Sequence, residues 1–174
     1  QTLRAAVIID HMRMFGRKAN EDLEAIDPRN VILRALDLVG GPLRLAQIEV
    51  VTEFAEDCGL VLGHPIQIEQ VVLNLIANAR DAIDERDGES KIITLRVFAA
   101  EQSVCIVAED TGRGIPEDAI QRIFEPFYTT KEMGKGTGLG LSVSYGIIRD
   151  MNGSIAAENS EVGARFTITL PRVN

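Results

Sequence analysis

The chain is predicted to fold as an α/β two-layer sandwich, a mixed β-sheet packed on about three helices and preceded by an N-terminal helix. Three observations support this class. A long run, about Ile66 to Glu85, carries one apolar face of helical period: Ile68, Val71, Val72, Leu75, Ile76, Ala79, Ala82 and Ile83. Two segments rich in β-branched residues, Lys91 to Ala99 and Ser103 to Ala108, read as a strand hairpin. A glycine-rich segment then leads directly into a second helical pattern, about Leu139 to Met151, and two more strand-like segments follow it.

Taken in order, residues 1 to 18 contain no helix breaker before Gly16. Val7, Ile8, Ile9, Met12, Met14 and Phe15 spread over most of a helical wheel, so this helix needs a partner to cover it. The polar run Ala19 to Glu24 reads as a linker, and Asp27-Pro28 suits a helix start with proline at its first position. That helix is expected to stop near Val39, because Gly40-Gly41-Pro42 follows. Gln47 to Phe54 alternates as a strand does, and Leu60 to Leu62 supplies a short second one. Asn152-Gly153 closes the last helix, and Ser154 to Glu158 and Ala164 to Leu170 complete the sheet. There is no internal repeat and no low-complexity segment.

At 174 residues and 45% hydrophobic content, the chain suits one domain with a real core plus a short appendage. Asp and Glu outnumber Lys and Arg by 26 to 18, and no basic cluster is interleaved with aromatics, so nucleic acid is not an expected partner. Cys58 and Cys105 lie in apolar stretches without metal or redox spacing, which suits buried, reduced thiols in a cytosolic protein. No stretch approaches the roughly 18 apolar residues of a membrane span, and Gln1-Thr-Leu-Arg4 does not begin a signal peptide. No membrane contact is expected of this piece.

Four segments carry chemistry. In the first, Asn74-Leu-Ile-Ala-Asn78, two amides lie one helical turn apart on a polar stripe with Gln70 and Asp81. An amide oxygen suits Mg²⁺ shared with a triphosphate, because the phosphates already supply the negative charge. In the second, Asp110-Thr-Gly-Arg-Gly114, a carboxylate ends a strand, and Gly112 and Gly114 let the backbone turn and approach a flat ring. A carboxylate accepts from an exocyclic amine, which distinguishes adenine from guanine. The third, Phe124-Glu-Pro-Phe-Tyr-Thr-Thr-Lys131, offers packing aromatics in Phe124 and Phe127 and a cation, Lys131, that can meet phosphate.

The fourth segment is the glycine ladder Gly134, Gly136, Gly138 and Gly140, whose unhindered N–H groups sit where the helix from Leu139 directs its positive end. Such a site binds phosphate. It fits neither the dinucleotide fingerprint, because Leu141 stands where a third glycine is needed, nor the P-loop, because Gly136 follows Lys135 in place of Ser or Thr. Thr129 to Thr137 is expected to form a mobile lid over it.

In this order the four segments resemble the N, G1, F and G2 boxes of the ATP-binding domain of sensor histidine kinases. That family is grouped with gyrase, heat-shock chaperone and mismatch-repair ATPases in the GHKL superfamily, with its Bergerat-type ATP-binding fold. The resemblance covers about the last five-sixths of the chain. It implies ATP and Mg²⁺ as cofactors, Asn78 as the magnesium ligand, Asp110 on the adenine amino group, and Asn74, Asn78 and Lys131 in catalysis. The other nucleotide contacts it implies are Asp81, Gly112, Gly114, Ile115, Gly134, Gly136, Thr137, Gly138, Leu139 and Gly140. It divides the chain into the end of a second dimerisation helix at 1–19, a linker at 20–26 and a catalytic and ATP-binding domain at 27–174.

The resemblance further implies a cytoplasmic kinase, homodimeric at full length, whose parent is either soluble or membrane-anchored. Its γ-phosphoryl group would pass from ATP to a histidine on a dimerisation domain and then to an aspartate of a response-regulator receiver domain. His11 is followed by Met12-Arg-Met-Phe-Gly16 and lacks the family's acidic or amide residue and Arg-x-Pro-Leu-like run after it, so it reads as structural. His64, where relatives often carry Asp, reads as a loop residue without chemistry. Gyrase-type relatives hold a water-activating glutamate at the position of Asn74, and an amide is no base at neutral pH. Other readings are a GHKL-type ATPase or serine kinase, disfavoured by Asn74, and a non-catalytic nucleotide-sensing module, disfavoured by the intact segments.

Overall fold

The computed structural model describes residues 23–132 and 136–173. The expected N-terminal helix with His11, the first part of the linker, Gly134 and the middle of the lid lie outside the described residues.

The first helix, α1 (Pro28–Leu45), starts as its sequence suggests: the Asp27 side chain accepts from the Arg29 N–H, and Pro28 occupies the first turn. It does not end at Val39. Gly40, Gly41 and Pro42 continue the helix, because Leu43 beyond them is 2% exposed and its burial holds the last turn in place. Three residues expected to lie in the linker instead form a strand, β1 (Glu24–Ile26), which pairs antiparallel with β3 (Leu60–Gly63) and buries Ile26. The strand β2 (Glu49–Phe54) starts two residues later than expected, since Gln47 takes a left-handed backbone with φ 58°.

The second helix, α2 (Pro65–Asp84), buries Ile68, Val71, Val72, Leu75, Ile76, Ala79 and Ile83, the apolar face read from the sequence. His64 precedes it as the N-cap residue, without a side-chain capping bond. The hairpin of β4 (Ile92–Ala100) and β5 (Ser103–Asp110) reaches two residues beyond Ala108, so Asp110 closes the strand. The helix α3 (Gly140–Asp150) then leads to β6 (Ser154–Asn159) and β7 (Ala164–Val173).

The strands form one sheet of seven in the order β1-β3-β7-β5-β4-β2, with β6 on β7. Among the described strands only the β2–β4 pair is parallel, so the sheet is mixed. β7 exceeds its expected end because it pairs with β6 up to Thr169 and with β3 from Arg172; Pro171, which has no backbone donor, falls in the gap between them. The three described helices pack on one face. Ile93, Leu95, Val97, Val104, Ile106, Ala108, Phe166, Ile168 and Leu170 alternate onto that face and join the helical residues in one core. This is the two-layer α/β sandwich expected from the sequence.

Both cysteines are buried and unpaired. The Cys58 Sγ lies 3.8 Å from Asp27 Oδ1, and burial pushes its thiol pKa up. Cys105 sits on the far face of the sheet, where its strand neighbours Phe98 and Thr169 cover it.

Candidate functional site

The polar stripe of α2, the end of β5, the segment 123–131 and the start of α3 converge on two adjoining cavities. The first is lined by Asn78, Ala82, Asp110, Gly114, Ile115, Ile123, Lys131, Leu141 and Phe166, so it is an apolar slot with one buried carboxylate. The second is lined by Asn74, Asn78, Asp81, Thr129, Lys131, Gly136, Thr137, Gly138 and Gly140, so it is polar and edged by backbone. Asn78, Lys131 and Leu141 border both.

Asp110 is 3% exposed and lines the first cavity. Burial pushes its carboxyl pKa up, against the Gly112 and Ala164 N–H groups that favour the charged form. Both amides donate to Oδ1, at 2.8 and 3.4 Å, which leaves Oδ2 as the oxygen for a ligand donor. The glycines that follow serve the protein as much as any ring. A Cβ on Gly112 would lie 2.5 Å from the Ala82 carbonyl carbon, and Gly114, at φ +76°, would press one to 2.8 Å from Asn159 Oδ1. Ile115 lies beyond them as part of the apolar wall.

On α2 the two asparagines differ. The Asn74 amide donates to the Gly140 carbonyl at 3.1 Å and to Ser144 Oγ at 3.2 Å, bracketing α2 to the first turn of α3. The Asn78 side chain makes no hydrogen bond with any described residue, and it stands between the two cavities. Lys131 forms an ion pair with Asp81, so the chain's expected phosphate contact is held against α2. Arg113 ties the same region together: it pairs with Glu85 at 2.7 Å and donates to Thr130 at 2.9 Å.

In the glycine ladder, Gly136 and Gly138 pack closely on the segment before it, so the missing side chains serve packing as well as leaving N–H groups open. A Cβ on Gly138, at φ +67°, would lie 2.5 Å from the Phe127 backbone, and one on Gly136 would lie 2.9 Å from Thr129. The Phe127 N–H donates to the Gly138 carbonyl at 2.8 Å. Phe127 does not pack in the core: its side chain is 66% exposed and its φ is +64°, because this backbone bond to Gly138 sets the residue and not its ring. Phe124 does pack, 5.7 Å from Tyr145 and 6.5 Å from Phe166 between ring centroids. Leu139 is the N-cap residue of α3 and has no side-chain capping bond, and Gly140 and Leu141 of that first turn line the second cavity.

Sequence reasoning missed the tertiary lining: Ala82, Leu141 and Phe166 come from three elements and Ile123 from a turn, and no local pattern joins them. It also missed Gly163, although a glycine just before a strand is a visible signal. A Cβ there would lie 2.2 Å from the Asp110 carbonyl oxygen.

The model of a family described as histidine kinase-, DNA gyrase B-, and HSP90-like ATPase matches residues 63–174. The chain is 41% identical over 174 residues to the two-component sensor PprA of Pseudomonas aeruginosa, covering 98% of this chain and 19% of that protein. It is 40% identical over 184 residues to the sensor kinase CckA of Brucella abortus, with the same two shares. The chain thus spans about a fifth of the length of these relatives. Among solved structures, the nucleotide-free catalytic domain of histidine kinase ThkA matches at a TM-score of 0.77 and 30% identity, covering 88% of this chain and 100% of that one. Full-length ShkA in complex with AMPPNP matches at a TM-score of 0.80 and 25% identity, over 99% of this chain and 36% of that one. On the family match, and on its likeness over the whole of a solved catalytic domain, this chain belongs to the histidine kinase-, DNA gyrase B-, and HSP90-like ATPases as an ATP-binding catalytic domain of the sensor histidine kinase type.

Proposed function

We propose that this domain binds ATP together with Mg²⁺ and delivers the γ-phosphoryl group to a histidine on a dimerisation domain, for relay to a response-regulator aspartate. The observation that carries the reading is the junction of the two cavities at Asn78. An apolar slot ending in a buried carboxylate suits adenine, and a polar cleft edged by glycine backbone and a helix N-terminus suits a triphosphate. A ligand that fills both must pass Asn78.

The donor set fits a metal that arrives with the nucleotide. No group of three His, Cys, Asp or Glu side chains capable of holding an ion occurs among the described residues, while the Asn78 amide oxygen has no other partner there. Bound there, Mg²⁺ would neutralise phosphate charge. The chain's own part is then to hold and align: Asp110 fixes the base, the first turn of α3 directs N–H groups at phosphate, and Lys131 exchanges Asp81 for a phosphate oxygen. Asn74, spent on α3 and without basicity, activates no water, which favours transfer to a protein nucleophile over hydrolysis.

Titration calorimetry checks the binding step. ATP should bind more tightly than GTP, and magnesium should strengthen ATP binding in the parent far more than in Asn78→Ala. Equal GTP affinity, or an unchanged magnesium effect in the variant, would remove the reading. Transfer of label from γ-labelled ATP to a histidine of a separately supplied dimerisation domain checks the reaction and separates a kinase from a nucleotide-sensing module.

A further inference from the structure

The loop that carries Asp110 is held from outside by residues that line neither cavity. Asn159, the last residue of β6, makes two hydrogen bonds to one residue of that loop: it accepts from the Ile115 N–H at 2.7 Å, and its Nδ2 donates to the Ile115 carbonyl at 2.7 Å. Because one partner is a fixed donor and the other a fixed acceptor, only one orientation of the amide satisfies both. Gly114 leaves the space that Asn159 Oδ1 fills. Arg86, just past α2, works from the other side: its Nη1 donates to the carbonyls of Thr111 at 2.9 Å, Gly112 at 3.2 Å and Val162 at 2.8 Å. Two of those carbonyls belong to the loop, and the third to the β6–β7 turn.

Gly163 completes the joint, since its missing Cβ lets the turn lie against the Asp110 backbone, and the next residue, Ala164, donates to Asp110 Oδ1. The hydrogen bonds that join this region to the β6–β7 connection thus run from Asn159 to Ile115, through Arg86 to Val162, and from Ala164 to Asp110. Thr111 is tied separately at its far end, to Ser90 and Ile92.

We propose that Asn159 and Arg86 are positioning residues for base recognition: together they fix the spacing between the Asp110 carboxylate and the Ile115 wall, and with it the preference for a 6-amino purine. The proposal rests on the adenine-binding reading above. The physical reason is that a base held between one carboxylate oxygen and one apolar wall is discriminated only if that gap is rigid. A loop of two glycines is soft without outside bonds.

The test compares ATP with inosine triphosphate, which carries a carbonyl where ATP has the amine, by calorimetry on this chain. Asn159→Ala and Arg86→Met should each weaken ATP about ten-fold, the effect of one or two lost hydrogen bonds, while inosine triphosphate changes little. The ATP to inosine triphosphate ratio therefore falls. A purely structural role would lower the melting temperature and weaken both nucleotides alike. Asn159→Asp, which keeps the acceptor for Ile115 N–H, and Arg86→Lys should give intermediate ratios, and they decide the question if the first pair does not fold. Folded variants with the parent's ratio overturn the positioning role. A parent chain that does not distinguish the two nucleotides overturns the adenine reading itself, and the proposal with it.

Discussion

At the scale of single residues, the Asp110 carboxylate is costly to the fold and central to the proposed nucleotide site. Its carboxyl is buried, and burial raises its pKa more than the two backbone donors lower it. A folded-state pKa above the unfolded one means that the folded chain binds the proton more tightly. The stability this contributes is complete at pH below the ordinary aspartate range and is lost as pH rises through the raised value. At neutral pH the ionised group therefore costs stability, a cost that the proposed contact with a base amine would account for. Asp110→Asn keeps an oxygen for the Gly112 and Ala164 amides but presents an amine where the base presents one. The variant should be at least as stable as the parent at pH 7 by urea denaturation, with the advantage vanishing in acid, while it loses the ATP preference over GTP in calorimetry.

At the scale of elements, α1 carries three residues that disfavour helix, Gly40, Gly41 and Pro42, and remains helical to Leu45. Tertiary burial of Val31, Ile32, Ala35 and Leu43 outweighs the propensity cost, which is about 1 kcal/mol for each glycine and up to about 3 for an interior proline. A Cβ added at Gly41 meets nothing within 4 Å. Gly41→Ala should therefore stabilise the chain by about 0.8 to 1 kcal/mol, visible as a higher melting temperature at unchanged nucleotide affinity. An unaltered melting temperature would show that this turn is not helical in solution. The bracket between α2 and α3 is of another kind, because Ser144 is fully buried and shares the Gly140 carbonyl with Asn74. It fixes where the α3 N-terminus points.

At the scale of the whole molecule, the face of the sheet away from the helices carries an ion-pair chain across five strands. Glu53 and Glu109 flank Arg96 at 2.6 and 2.9 Å, and Glu109 and Glu158 flank Arg165 at 2.8 and 3.2 Å. Burial works to raise the Glu109 pKa, but the Ser160 hydroxyl and the two guanidinium groups outweigh it and hold the carboxyl below its ordinary value. A depressed folded-state pKa contributes stability that is present above the ordinary glutamate range and is lost as pH falls through the folded value. Glu109→Gln should cost about 1 kcal/mol at pH 7, the arginines being partly solvated, and nothing at a pH where both forms are neutral. Denaturation curves at several pH values, repeated in high salt to screen the pairs, measure this.

The amphipathic face of α2, the β4–β5 hairpin and the Asp27-Pro28 helix start were legible because each is a local pattern set by helical or strand period and by capping chemistry. The four segments whose residues line the two cavities were legible as motifs for a related reason: the binding of phosphate, metal and base proposed for them demands particular side chains or their absence, which leave marks in the order of residues. What no local pattern contains is how distant backbone meets backbone. β1 became a strand because Ile26 found cover beside Val61, and α1 ran through Gly40 to Pro42 because Leu43 did. Phe127 turned outward because its N–H bonds Gly138, and Lys131 found Asp81 fifty residues away. Asn159, Arg86 and Gly163 hold the Asp110 loop through contacts that span 25 to 76 positions in the chain. The chemistry of the site is thus set by residue type, which sequence records, whereas its rigidity is set by close approach of separate segments, which only the packed chain decides.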